Sequence, residues 1–193
     1  MPLVAFITSE KPLLATISNN ILRLSNHGKG SENLSGLSSV VCDEDLHSLF
    51  DGFASNHQDL GQTLLNNLGN HVVQSLTCLQ NEASALAIES LKGSLMILAK
   101  VPYARFVVQK FFESCDDKTA FDSYNEIVLD DLVTNCVGHF VHQSVIRRLE
   151  TLDIMLCRKL CSDIVGRKNE LQDDKYGSQV FITSKNMLRK IGK

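Results

Sequence analysis

The chain has 193 residues, of which 44% are hydrophobic and 21% charged, and its formal net charge is −3 at pH 7. This composition supplies ample apolar material for a core and predicts one elongated domain. No apolar run approaches the roughly 20 residues that cross a bilayer, and the opening segment lacks a basic lead, so neither a membrane span nor a secretory signal is predicted.

Residues 1–59 are predicted to form a helical N-terminal region, with degenerate repeats as one interpretation. Apolar residues up to Leu24 predict one or two helices, whereas the Gly- and Ser-rich stretch 26–39 predicts a loop or a break. Residues 43–59 again place apolar side chains at helical spacing. Up to residue 68 the chain carries three basic and seven acidic side chains, a net charge of −4.

Four six-residue segments recur at nearly fixed spacing in residues 60–193. These segments, here called blocks 1 to 4, are 69–74 (GNHVVQ), 104–109 (ARFVVQ), 138–143 (GHFVHQ) and 177–182 (GSQVFI). Their first residues are 35, 34 and 39 positions apart. Self-similarity at such a period is typical of a solenoid built from helical repeats.

Each block is predicted to be helical. In block 1 the apolar residues recur at i, i+1, i+4 and i+7, which is the stripe that a helix turns toward a core. This stripe consists of Val72, Val73, Leu76 and Leu79. Asn70, His71 and Gln74 are then expected on an adjoining, less buried face. The small residue that opens each block is expected to allow close approach between helices.

Between the blocks the pattern predicts pairs of helices in chain order. The expected pairs are 84–99 with 101–114, 123–134 with 137–149, and 152–168 with 173–191, the last with a longer connection near 166–174. The segment 113–131 is acidic and predicts a solvated loop and helix start. Residues 147–193 carry eleven basic and six acidic side chains, so the basic density lies at the C-terminal end.

The blocks resemble Pumilio (PUF) repeats, which carry a helix of the form Gly-Asn-Tyr-Val-Val-Gln. The resemblance covers residues 60–193, is close throughout block 1 and is weak in block 4. It implies an all-α fold, a right-handed α-solenoid (superhelix) of about four Pumilio-type helical repeats. The segment 169–180 also resembles the closing repeat of divergent nucleolar members that act on pre-ribosomal RNA.

The resemblance implies that the concave face binds single-stranded RNA, with each base read by two or three side chains of one repeat. Contacts to base edges are then assigned to Asn70 and Gln74, to Arg105 and Gln109, and to His139 and Gln143, and stacking to His71, Phe106 and Phe140. The Asn70 and Gln74 pairing resembles the family's uracil-reading combination. In block 4 Ser178 and Gln179 remain, but Ile182 replaces the amide, so this block is expected not to discriminate a base.

The resemblance leaves two processes open. One is post-transcriptional regulation of mRNA through 3′ untranslated regions, by translation or stability, in the cytoplasm. The other is pre-rRNA processing in the nucleus or nucleolus. Protein effectors on the convex face and a monomeric state are further expectations, with no cofactor and no membrane partner.

The residue pattern is also compatible with two alternatives to RNA binding. A protein-protein interaction scaffold of the armadillo or HEAT type would need no RNA, although such repeats usually run to about 40 to 47 residues and do not require the recurring polar triple. In a second alternative the block amides hydrogen-bond each other or buried backbone instead of a base.

The sequence predicts neither an enzyme nor a metal site. It has no Gly-rich phosphate loop, nucleophile elbow or metal-spaced carboxylates. Cys136, His139 and His142, with Cys161 elsewhere, invite comparison with zinc ligands, but positions i and i+6 align poorly on a helix. The six cysteines form no Cys-x-x-Cys pair and are expected to be reduced, mostly buried thiols.

Overall fold

The computed structural model describes residues 16–37, 57–78 and 82–192, and these residues form helices and no strand. Within those ranges, no helix combines the length and the apolar character that crossing a membrane requires. The chain divides into two compact units, unit 1 (Met1–Lys92) and unit 2 (Gly93–Lys193). The boundary predicted between residues 59 and 60 concerns repeat content and stays a prediction.

Unit 1 is organised around the helix that carries block 1. Its helices are α1 (Ile21–Ser25), α2 (Gly28–Leu37), α3 (His57–Leu65), α4 (Gly69–Thr77) and α5 (Glu82–Leu91). The other four helices all pack against α4. Val72, Val73 and Leu76 are buried, which confirms the predicted stripe, while Leu79 lies outside the described residues.

The loop predicted over 26–39 is wrong, because α2 occupies most of it. Glycine and serine are poor helix formers, yet this helix buries Leu34 and Leu37 against the unit 1 core. Ser31 Oγ donates a hydrogen bond to the carbonyl of Leu68 at 2.7 Å. Tertiary packing therefore outweighs intrinsic propensity here. The helix predicted over 43–59 lies outside the described residues up to position 56, as do residues 1–15.

The glycine that opens block 1 lies where two helices approach closely. A Cβ atom on Gly69 would stand 2.6 Å from Asn26 Oδ1, 2.7 Å from Thr63 Cγ2 and 2.8 Å from the Thr63 carbonyl oxygen. This confirms the expected role of the small residue. Gly61, within α3, has nothing within 4 Å of such a Cβ atom.

Gly69→Ala is expected to lower the free energy of unfolding by about 1–2 kcal/mol, because the neighbouring backbone must shift to admit a methyl group. Gly61→Ala is the matched control and is expected to raise it by up to about 1 kcal/mol, since alanine is the better helix former in open space. Urea unfolding of both variants measures the difference. Equal effects of the two substitutions would show that close packing does not restrict position 69 to glycine.

Unit 2 is organised around the helix of block 3. Its helices are α6 (Leu95–Leu98), α7 (Ala104–Ser114), α8 (Asp117–Tyr124), α9 (Asp130–Val133), α10 (Gly138–Leu152), α11 (Ile154–Gly166), α12 (Lys168–Leu171) and α13 (Gly177–Ile191). The central helix α10 packs against α7, α8, α9, α11 and α13. The helices α7, α10 and α13 begin at the first residues of blocks 2, 3 and 4.

Two of the predicted helices are interrupted. The helix expected over 84–99 stops at Leu91 and resumes at Leu95, because Gly93 adopts a left-handed φ of 78°. The carboxylate of Glu126 accepts the backbone N–H groups of Gly93 and Leu95 at 2.9 and 2.6 Å and stabilises this turn.

The helix expected over 123–134 is replaced by the end of α8 and by α9. The structure begins α8 earlier, at Asp117, because the side chain of Asp116 caps it by accepting the N–H of Thr119 at 3.0 Å. The acidic segment therefore provides a helix start, as its charge predicted.

Candidate functional site

Three of the four blocks begin with the same turn. An Asn or Asp three residues before the glycine accepts two backbone N–H groups through one side-chain oxygen, as in an Asx turn. The pairs are Asn66 with Leu68 and Gly69 (2.8 and 3.1 Å), Asn135 with Val137 and Gly138 (2.9 and 2.8 Å), and Asp174 with Tyr176 and Gly177 (3.0 and 2.6 Å). This turn is not among the features predicted above, although its Asn/Asp-to-Gly spacing is visible in the chain.

The three variable positions of each block face different ways. The first position is buried or half-buried, the second is exposed, and the third is half-buried in blocks 1 to 3. The second-position residues are His71, Phe106, Phe140 and Gln179. The expectation that Asn70 lies on a less buried face is wrong, since Asn70 is only 1% exposed. The first residue of the triple turns inward because it belongs to the packed first turn of the helix.

In block 1 the two amides are hydrogen-bonded to each other. Gln74 Nε2 donates to Asn70 Oδ1 at 2.7 Å, and Asn70 Nδ2 donates to the carbonyl of Asn66 at 2.9 Å. This arrangement matches the alternative in which block amides partner each other. An amide offers two donors and two acceptor lone pairs, and the bond to Asn70 uses one donor of Gln74. The side chain of His71 is exposed beside this pair.

In block 2 the polar side chains reach toward block 3. Gln109 Nε2 donates to Ser144 Oγ at 3.1 Å and to the carbonyl of Phe140 at 3.4 Å. The guanidinium of Arg105 lies over two rings, those of Phe106 and Phe140. These contacts join α7 to α10 on the surface where the second-position residues are exposed.

In block 3 the first position is enclosed by aromatic rings. His139 is 1% exposed, and its ring centroid lies 3.9 Å from that of Phe140 and 5.1 Å from that of Tyr176. Its Nδ1 is 3.0 Å from the carbonyl oxygen of Asn135. His139 therefore contributes a ring beneath Phe140 rather than an open polar edge. Gln143 is half-buried.

Block 4 departs most from the pattern. Ser178 Oγ donates to the carbonyl of Lys175 at 3.3 Å, and Gln179 is exposed. Ile182, in the position of the amide, is exposed over 55% of its surface. We call the surface formed by the outward residues of blocks 2 to 4 the unit 2 face. Its residues are Phe106, Gln109, Phe140, Gln143, Gln179 and Ile182.

One block residue is turned into the core instead. His142 occupies the position that Val73 and Val108 fill in blocks 1 and 2, and it is completely buried. Among the described residues neither ring nitrogen has a hydrogen-bond partner. Burial lowers the pKa of His142 to about 4, with Asp130 acting in the opposite direction and Arg167 in the same direction. The ring is therefore neutral at pH 7.

The basic side chains near the blocks differ in how accessible they are to a phosphate group. Lys110 forms an ion pair with Glu113 at 2.7 Å. Arg148 is held by the carbonyl of Cys115 at 2.9 Å and by Asp117 Oδ1 at 2.8 Å. Arg147, two turns beyond Phe140 on α10, is exposed. Of these three, Arg147 is the side chain most accessible to a phosphate.

The remaining histidine, cysteine and acidic side chains of the described residues do not gather into a metal site. Within the described ranges, no group of three or more His, Cys, Asp or Glu side chains could hold a metal ion. Cys115, Cys157 and Cys161 are buried, whereas Cys78 and Cys136 are exposed. Burial raises the pKa of the Cys115 thiol to about 11, so this thiol stays protonated at neutral pH.

The chain is similar to known proteins in sequence and in fold. No protein-family model matches the chain. The chain is 33% identical over 95 residues to the putative pumilio homolog 25 of Arabidopsis thaliana, over 46% of this chain and 66% of that protein. The Puf3 RNA-binding domain bound to a Cox17 RNA 3′ UTR recognition sequence superposes with a TM-score of 0.74 at 17% identity, over 98% of this chain and 57% of that one.

A second solved structure agrees. PUF-8 in complex with PBE-RNA superposes with a TM-score of 0.77 at 18% identity, over 93% of this chain and 54% of that one. The chain thus spans less than two thirds of the length of these proteins. Helices that carry the same block at regular spacing define an α-helical repeat protein. With these similarities, the chain has the fold of a Pumilio (PUF) repeat protein.

Proposed function

We propose that the chain binds single-stranded RNA through the block residues of its repeats. The observation that carries the proposal is the recurrent exposure of the second block position, which in blocks 1 to 3 holds His71, Phe106 or Phe140. Unstacked bases bind to such flat side chains, while amides at the third position offer a donor and an acceptor to base edges. RNA in the solved Puf3 and PUF-8 complexes supports the same reading.

The block residues are proposed to play unequal roles. Asn70 and Gln74 read an edge, with uracil the preferred base, while His71 stacks. Because Asn70 is buried, Gln74 makes the outer contact and Asn70 orients it through their 2.7 Å hydrogen bond. In unit 2, Gln109 and Gln143 are the proposed edge contacts, since His139 is enclosed by rings.

In block 4, Ser178 and Gln179 are proposed to contact RNA without selecting a base. Ile182 is exposed but offers neither a donor nor an acceptor to a base edge. Its apolar surface can contact a base without distinguishing its edge.

Phosphate contacts are proposed at Arg147, which is exposed and follows the unit 2 face along α10. Stacking contributes about 1–3 kcal/mol per base, so a few working repeats give modest affinity without electrostatic help. Each phosphate contact steepens the dependence of affinity on salt. The biological process is proposed to be post-transcriptional control of mRNA or pre-rRNA processing, with protein effectors as further partners.

Binding of fluorescent single-stranded RNA pools, one of them uridine-rich, at two salt concentrations tests the proposal. Gln74→Ala is expected to weaken uridine-rich RNA binding about fivefold, because an edge contact without its partner loses about 1 kcal/mol. Gln62→Ala removes the same amide from an exposed position of α3 and is the matched control, with no expected change.

No binding of any pool at low salt, with the helical circular dichroism spectrum intact, would contradict the proposal and favour a protein-binding scaffold. Equal effects of the two glutamine substitutions would remove block 1 from the binding site.

A further inference from the structure

A planar side chain lies between two aromatic rings on the unit 2 face. The guanidinium carbon of Arg105 is 4.3 Å from the ring centroid of Phe106 and 4.0 Å from that of Phe140. The two rings belong to successive blocks on the packed helices α7 and α10. Both rings are more than one third exposed, so the space between them opens to solvent.

Further hydrogen bonds fix the side chains of Arg105 and Gln109 at this space. Arg105 Nε donates to the carbonyl of Pro102 at 3.2 Å, which directs the guanidinium across the rings. Gln109, one turn along α7, is tied to Ser144 Oγ and to the carbonyl of Phe140. Arginine stays charged in proteins, so both ring contacts are cation–π contacts.

A nucleobase is the ligand whose shape and chemistry match the space that Arg105 fills. Every base has a flat π face that stacks on an aromatic ring, whatever its edge. The guanidinium is flat as well and already covers one face of each ring. A base and the guanidinium therefore compete for the same two rings.

We propose that Arg105 closes the stacking space between blocks 2 and 3 to bases, and that a base enters only by displacing the guanidinium. This inference rests on the RNA binding proposed above and concerns the specificity of the same site. Blocks 2 and 3 then add contacts at their outer edges but hold no base between Phe106 and Phe140.

The expected magnitudes of the two competing effects overlap. A cation–π contact at a partly exposed site changes an equilibrium about twofold to fivefold, so two of them together oppose entry by about fivefold to twenty-fivefold. Stacking of one base favours entry by about fivefold to 150-fold. Over the lower part of that range the two effects cancel, and the space adds little to RNA affinity.

The experiment is an abasic scan on the RNA of highest affinity found in the pools. Each nucleotide in turn is replaced by an abasic one, and binding is measured for the full chain and for Arg105→Ser and Arg105→Lys. Serine empties the space, and lysine keeps the charge but lacks the planar group. Arg147→Ser removes the same charge from an exposed site of unit 2 and controls for electrostatic loss.

Arg105→Ser is expected to bind the intact RNA about threefold to tenfold more tightly and to gain one abasic-sensitive nucleotide that the unaltered chain lacks. Arg105→Lys is expected to gain the same sensitive nucleotide. Arg147→Ser is expected to weaken binding and to leave the abasic profile unchanged.

Weaker binding of both Arg105 variants with an unchanged abasic profile would overturn the inference, because Arg105 would then contact RNA itself. RNA binding by the unaltered chain in that experiment would leave the proposed function standing. Absence of RNA binding by every folded variant would instead remove the proposed function and this inference with it.

Discussion

Acidification from pH 7 to pH 4 is expected to lower the free energy of unfolding by about 3 kcal/mol more in the unaltered chain than in His142→Leu. Burial lowers the pKa of His142 to about 4, from an ordinary value of 6.5. Below pH 6.5 the unfolded chain binds a proton at this ring, and the folded chain does not. Stability is therefore lost progressively as the pH falls to about 4, and the loss from this residue ends there.

Leucine is the suitable replacement because it fills the space and cannot titrate. At pH 7 His142→Leu is expected to be at least as stable as the unaltered chain, since it removes two buried ring nitrogens that lack partners within the described residues. Urea unfolding at several pH values between 7 and 4 measures both effects. Parallel stability curves for the two proteins would show that His142 is not responsible for acid sensitivity.

Phe140→Ala is expected to weaken RNA binding about fivefold to 150-fold in the Arg105→Ser background, where the ring is free to stack on a base, and by about fivefold or less in the otherwise unaltered chain. The Phe140 ring lies against His139 and against Arg105, so the guanidinium must leave before a base can stack on this ring. Because the side chain is 37% exposed, its removal is expected to cost less stability than removal of a buried phenylalanine.

Phe121→Ala provides the control for this substitution. Phe121 lies on α8 in the same unit, is 46% exposed and belongs to no block. Fluorescence anisotropy with the same RNA is expected to show unchanged affinity for this variant. If Phe140→Ala binds as tightly as Phe121→Ala in the Arg105→Ser background, the second block position is not a stacking position.

Much of the candidate site follows from local sequence. The outward direction of His71, Phe106 and Phe140 was predicted by helical periodicity, because position within a helix sets which side chains share a face. The turn before three of the blocks was equally predictable, since the side chain of Asn66 or Asn135 acts only on backbone two and three residues ahead.

Other features depend on residues far along the chain. The burial of His139 requires Tyr176, and the position of Arg105 requires Phe140, 35 residues ahead. Helix α2 forms in a Gly- and Ser-rich segment because Ser31 and Leu34 pack within unit 1. The periodicity of the sequence does not predict such contacts, because each depends on how one helix packs against another.

The sequence by itself determined that the chain is an all-α repeat protein with Pumilio-type helices and that the second position of each block faces outward. Its regular spacing repeats one helical unit, and the direction of each side chain on a helix follows from 3.6 residues per turn. Only the tertiary structure decided which polar groups remain accessible. His139 is covered by rings and Arg105 fills a stacking space, because packing brings separate blocks into contact.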